Sequence, residues 1–80
     1  IMMKDKKILT SDVIKLISEV CEIPEEKISE KSNLTTDLEL ESLDIVTLIS
    51  ECEDRYHLTI PDKDIKTLQT VKDIVDYLNK

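Results

Sequence analysis

Apolar residues at Leu9, Val13, Leu16, Ile17 and Val20 follow one another at spacings of four, three, one and three, which trace a single helical stripe. Ile23-Pro24 closes that helix, because proline disfavours helical geometry in the residue before it. Ser11 could cap an inner start, while Leu9 points to a start slightly earlier. A second stripe of Ile45, Leu48, Ile49, Cys52 and Tyr56 predicts a helix from about Ser42 to His57. Val46 falls toward the edge of this stripe. Leu43 is expected to plug the bundle and hold Ser42 at its rim. Leu58-Thr59-Ile60-Pro61 breaks the pattern, and Asp62 is expected to cap a short turn carrying Ile65 and Leu68. Thr70 should cap a last helix whose apolar face is Val71, Ile74, Val75 and Leu78. Asp73, three residues on, resembles the reciprocal partner of a capping box, with Asp in place of the usual Glu or Gln.

A long polar connection over residues 23–41 separates the first two stripes. Loops of that length are uncommon in compact domains unless functional. Its apolar residues, Ile28, Leu34, Leu38 and Leu40, should pin it over the open end of the bundle. The expected fold is all-α, a small four-helix bundle of three principal helices and one short one. Residues 9–79 form a single domain in this reading. Residues 1–8 form an N-terminal extension, in which Ile1 ahead of Met2-Met3 reads as a cloning remnant.

Composition sharpens this picture. The chain has 80 residues and no glycine, which disfavours a hairpin-rich sheet. Tyr56 and Tyr77 are its only aromatic residues, so the core must be aliphatic. Cys21 and Cys52 lie within apolar patterns and read as buried free thiols. Two cysteines and the lone His57 do not make a zinc site, and no metal site is expected. No apolar run approaches the length of a membrane span and no signal peptide is visible, so a cytoplasmic location is expected.

The net charge of −7 is unevenly placed. Residues 37–64 hold nine acids and two bases and so carry the whole imbalance. Such a field repels nucleic acid and anionic membrane and attracts basic partner surfaces, although it also serves plain solubility. Like charges at Glu41 and Asp44, and at Glu51 and Asp54, should cost a few tenths of a kcal/mol each.

Catalytic machinery is not evident. Ser42 and His57 would sit at opposite ends of one helix, roughly 22 Å apart at its rise per residue. A general base has to lie within hydrogen-bond reach of its nucleophile. With no glycine there is neither a P-loop nor a dinucleotide fingerprint. The chain therefore reads as a non-enzyme with no catalytic residue. On spacing alone, Ser42 is a helix cap.

The informative stretch is Asp37-Leu38-Glu39-Leu40-Glu41-Ser42-Leu43-Asp44-Ile45-Val46, continued by Thr47-Leu48-Ile49 and Glu53-Asp54-Arg55-Tyr56. It resembles the prosthetic-group attachment region of acyl carrier proteins, whose usual form is Asp-Leu-Gly-x-Asp-Ser-Leu-Asp. The likeness extends over roughly residues 9–79. Glu39 stands at the usual glycine, implying a backbone there that is open to a side chain. Glu41 replaces the usual aspartate, Thr47 a common acid and Ser50 a common apolar residue.

The resemblance implies that a phosphopantetheinyl transferase attaches 4′-phosphopantetheine from coenzyme A to Ser42. It further implies that the arm's thiol carries acyl groups as thioesters, for fatty acid or related acyl-chain synthesis. The thin core could open to shelter a growing chain. The acidic second helix would dock on basic patches of synthases, reductases and acyltransferases through Glu41, Asp44, Val46, Glu51, Glu53 and Asp54. A monomer is expected, without nucleic-acid or membrane partners. Two alternatives stay open at this point: an aminoacyl or peptidyl carrier on the same arm, and an unmodified interaction domain of the same fold.

Overall fold

A computed structural model of the chain describes residues 7–80. It contains α1 (Thr10–Cys21), a single 3-10 turn (Glu25–Lys27), α2 (Ser42–Tyr56), α3 (Asp62–Ile65) and α4 (Val71–Leu78). The described residues form an all-α fold of four helices, with one isolated bridge between Asn33 and Thr70. Helix α1 packs against both α2 and α4. Its Val13, Leu16 and Ile17 are fully buried against Leu48, Ile49 and Cys52 of α2 and Val71, Ile74 and Val75 of α4. These residues are the stripes read from the sequence, and the core they make is aliphatic. Ile45 and Tyr56, at the margins of the α2 stripe, are half-buried against it.

The helix ends depart from the sequence reading in detail. Leu9 precedes α1, and the Asp12 carboxylate accepts its N–H at 2.9 Å. Ser11 is therefore inside the first turn and is not the cap. Helix α1 stops before proline acts: Glu22, one residue beyond it, is left-handed at φ 58°. Helix α2 ends the same way, with His57 at φ 56° donating its N–H to the Glu53 carbonyl. Asp62 is the first residue of α3 and not its cap, since Pro61 precedes the helix and its carbonyl accepts from Asp64 and Ile65. The capping box of α4 is as expected. Thr70 Oγ1 accepts from the Asp73 amide at 3.2 Å, and the Asp73 carboxylate accepts from Thr70 N–H at 3.0 Å. The same carboxylate also takes the Gln69 N–H at 2.9 Å. These amide bonds, Gln69 first, hold the Asp73 carboxyl below the usual range.

The long connection is tied down throughout. Ile28, Leu34 and Leu40 are buried and Leu38 is half-buried. Its backbone is bonded to the start of α4: Leu34 N–H to Gln69 O at 2.9 Å, Val71 N–H to Ser32 O at 3.1 Å, and Lys72 N–H to Glu30 O at 2.9 Å. Asn33 folds the middle into a tight turn, its Oδ1 accepting from the amides of Thr35 and Thr36. The connection meets the demand that buried backbone groups be paired, and so acts as a lid on one end of the bundle.

Of the N-terminal stretch 1–8, residues 1–6 lie outside the described residues. Ile8 is clamped to the opposite terminus: its N–H donates to Asn79 Oδ1 at 2.9 Å, and Asn79 Nδ2 donates to its carbonyl at 2.8 Å. Cys21 and Cys52 are free thiols. Cys52 is buried as expected, and that burial pushes its pKa up to about 11. Cys21, contrary to expectation, is only half-buried.

Leu48 is fully buried at the centre of α2. Leu48→Ala is expected to cost about 2–5 kcal/mol, the usual range for deleting a buried leucine side chain. A domain of this size holds about 5 kcal/mol or little more. Urea denaturation should therefore find the variant close to unfolded in buffer, and an unchanged midpoint would refute this packing.

Candidate functional site

Ser42 is the first residue of α2, exposed, directly after the tied-down connection. The residue in the cap position is Glu41, with extended backbone at φ −93° and ψ 171°. The sequence offered Ser42 as the cap, but one residue's displacement gives it another role. Its hydroxyl has no hydrogen-bond partner among the described residues and faces solvent. The first helical bond of α2 is Ile45 N–H to Glu41 O at 3.0 Å. The amides of Ser42 and Leu43 thus begin the helix with no acceptor among the described residues, at the positive end of the helix dipole. An anion esterified to Ser42 Oγ would find those donors beside it.

Leu43 does not plug the bundle. It is 75% exposed, and Val46 is 61% exposed. The reason is the helical period. Leu43 is five positions before Leu48, roughly 140° away around the axis, which turns it out of the buried stripe. Leu43 and Val46 are three apart and share a face with Ser42, where they form an apolar patch beside the hydroxyl. The sequence signal for this patch was present in the spacing; the α2 stripe assigns Leu43 to solvent once the helix starts at Ser42.

The acidic residues around Ser42 divide by what their carboxylates touch. Asp44 is half-buried and accepts the Glu41 N–H at 3.0 Å, so it closes the helix start. The expected penalty of the Glu41–Asp44 pair is therefore offset by a charge-assisted bond at the favourable end of the dipole. Glu53 is half-buried and accepts the Ile60 N–H at 2.7 Å, bracing the turn after α2. Glu41 and Asp54 are exposed and Glu51 is half-exposed. At the far end of α2, Arg55 reaches Glu19 of α1 at 3.7 Å, a surface pair of small energetic weight. His57 lies beyond that end, so helix length separates it from Ser42 and no nucleophile–base pair forms. No group of three or more His, Cys, Asp or Glu side chains among the described residues could hold a metal ion. No helix among them is long and apolar enough to cross a membrane.

Glu39 lies in the left-handed region at φ 57°. The sequence reading expected a backbone open to a side chain; the chain instead keeps a conformation that favours glycine and seats a glutamate in it. The cause lies on either side. Leu38 and Leu40 both turn toward the core, and Leu40 N–H is held by Leu34 O at 3.0 Å. Burying Leu40 contributes about 1.5–3 kcal/mol, against about 1–2 kcal/mol for a left-handed residue with a Cβ.

With this geometry established, comparison with known proteins is decisive. The family model described as phosphopantetheine attachment site matches residues 11–78. The chain belongs to the acyl carrier protein family. It is 37% identical over 68 residues to the acyl carrier protein of Syntrophobacter fumaroxidans, covering 85% of this chain and 84% of that one. It is 32% identical over 77 residues to the acyl carrier protein of Acidothermus cellulolyticus, covering 96% and 92%. A match of 33% over 72 residues to the meromycolate extension acyl carrier protein of Mycobacterium leprae covers 90% of this chain and 63% of that one. The cofactor of the family is covalently attached 4′-phosphopantetheine.

Glu39→Gly should stabilise the fold by about 0.5–1 kcal/mol, since glycine removes the Cβ penalty but loses more chain entropy on folding. Thermal denaturation of the variant beside the parent measures this, and a lower melting temperature would mean that the Glu39 side chain itself contributes to the fold.

Proposed function

We propose that Ser42 is the phosphopantetheine attachment residue and that the chain carries acyl groups, as the names of its relatives say of them, in the building of fatty acids or related chains. The observation that carries this reading is the exposed Ser42 hydroxyl at the start of α2, beside amides that no other group takes up. When attached, the arm supplies a terminal thiol that holds acyl groups as thioesters, while the chain presents it and performs no bond chemistry of its own. Asp44 holds the start of the helix, which orients Ser42 outward. The tied connection fixes the approach to it.

Docking falls to the exposed face of α2. Leu43 and Val46 supply apolar contact beside Ser42, and Glu41, Glu51 and Asp54 supply the charge that draws basic surfaces of a phosphopantetheinyl transferase and of synthases, reductases and acyltransferases. Asp44 and Glu53, bonded to backbone amides, add to the field while serving the fold. Encounters of this kind are steered by charge and weaken with salt.

Incubation of the chain with coenzyme A and a broad-specificity transferase is expected to add a single phosphopantetheine, read by intact mass, with none on Ser42→Ala. A wild-type chain that stays unmodified with several transferases would overturn the attachment.

The docking face has its own test in Glu51→Lys, which leaves both amide-bonded carboxylates intact. Its transferase KM should rise several-fold at low salt and converge on the wild-type value as salt is raised. Equal KM values at low salt would show that the acids of α2 do not dock the transferase.

A further inference from the structure

At the pole opposite Ser42, the start of α1, the end of α2 and the end of α4 enclose an open groove of about 530 Å³. Its apolar lining comes from Ile8, Tyr56, Leu58 and Leu78, all half-buried. Around this floor stand Lys7, Lys15, Arg55 and His57. Asp12 also lines it, and the Oδ2 of Asp12 is occupied by the Leu9 amide. With His57 neutral the lining carries three positive charges and one negative, an excess of two in a chain whose net charge is −7. Folding gains nothing from drawing like charges together around apolar surface. A groove of this volume with an apolar floor and a few convergent charges has the form of a small-molecule site.

We propose that this groove binds an aliphatic monocarboxylate, its tail on Ile8, Leu58 and Leu78 and its head among Lys7, Lys15 and Arg55. A single negative charge suits the site better than two: Arg55 already shares its charge with Glu19 at 3.7 Å, and Asp12 opposes a second negative charge on the head. The site is separate from Ser42 by the length of α2, and its occupancy does not depend on attachment there.

Decanoate below its micelle-forming concentration, titrated into the full unmodified chain labelled with nitrogen-15, tests this. Saturable amide shifts confined to Lys7, Ile8, Lys15 and residues 55–58 are expected, with those of Ser42 and Leu43 unmoved. Acetate and decanol, which supply the head and the tail separately, should each bind at least about tenfold more weakly, as should decanoate to Lys15→Glu/Arg55→Glu. Lys15→Ala, which leaves the Arg55–Glu19 pair in place, should weaken binding about threefold and serves if the double variant does not fold. Shifts that do not saturate or that spread through the core would overturn the proposal. So would decanol binding as well as decanoate, or decyl phosphate binding about tenfold tighter than decanoate.

Discussion

The rotation of α2 about its own axis is the constraint on which the site depends. Leu48, Ile49 and Cys52 have to meet Val13, Leu16 and Ile17 of α1, and that contact leaves one angular setting. A turn of one residue, roughly 100°, would put Thr47 and Glu51, or Ser50 and Glu53, into the core in place of two of these three residues. Losing a large aliphatic side chain from the core, about 1.5–3 kcal/mol, together with burying a carboxylate in its place, exceeds what a domain this small has in reserve. Ser42, Leu43 and Val46 therefore face solvent as a consequence of packing on the other side of the helix. The hydroxyl and its apolar neighbours are presented by the core, and the Glu41–Asp44 bond holds the helix start that carries them.

A chain without glycine still has to end its helices and turn its corners. Among the described residues, three adopt left-handed backbone for this: Glu22 after α1, Glu39 in the connection and His57 after α2. Each pays for a Cβ where glycine would pay none, about 1–2 kcal/mol. The return is visible at two of the three. At His57 the left-handed turn brings the following amides onto the Glu53 carbonyl, with Leu58 N–H bonding it at 3.2 Å, and turns the chain toward buried Ile60. At Glu39 it lets Leu38 and Leu40 both reach the core before the chain enters α2. These turns cost less than the burial they permit, which is why the backbone keeps the glycine geometry where the glycine is gone.

That balance explains what could be read in the sequence. The stripes of α1, α2 and α4 were legible because periodicity records burial directly, and the Thr70–Asp73 box was legible because both partners are local. The cap positions at Glu41 and Pro61 were not, because the obvious capping residue, Ser42 or Asp62, lies inside the helix that it was expected to begin. The side chain closing the start is instead an aspartate further along, Asp12 for α1 and Asp44 for α2. Leu43 was misplaced for a different reason: hydrophobicity alone favours burial, whereas its spacing of five from Leu48 turns it to solvent. The groove at the other pole was not legible at all, since Lys7, Lys15, Arg55 and Leu78 come from distant parts of the chain and converge only in the fold.

Acidity in this chain serves two purposes that charge counting cannot separate. Asp12, Asp37, Asp44, Glu53 and Asp73 each accept a backbone amide at the start of a helix or in a turn. A charged acceptor makes such a bond stronger than a neutral one, and at a helix start it also meets the positive end of the dipole. These five would be favoured for the fold even if the chain had no partner. Glu51 and Asp54 have no such bond among the described residues, and their charges add to the repulsion around α2 without return inside the domain. Their cost falls along α2, the helix that begins at Ser42 and carries Leu43 and Val46. Carboxylates that the fold does not need, on the helix that also presents an apolar patch and an exposed hydroxyl, are what would distinguish the proposed docking face from a merely soluble one.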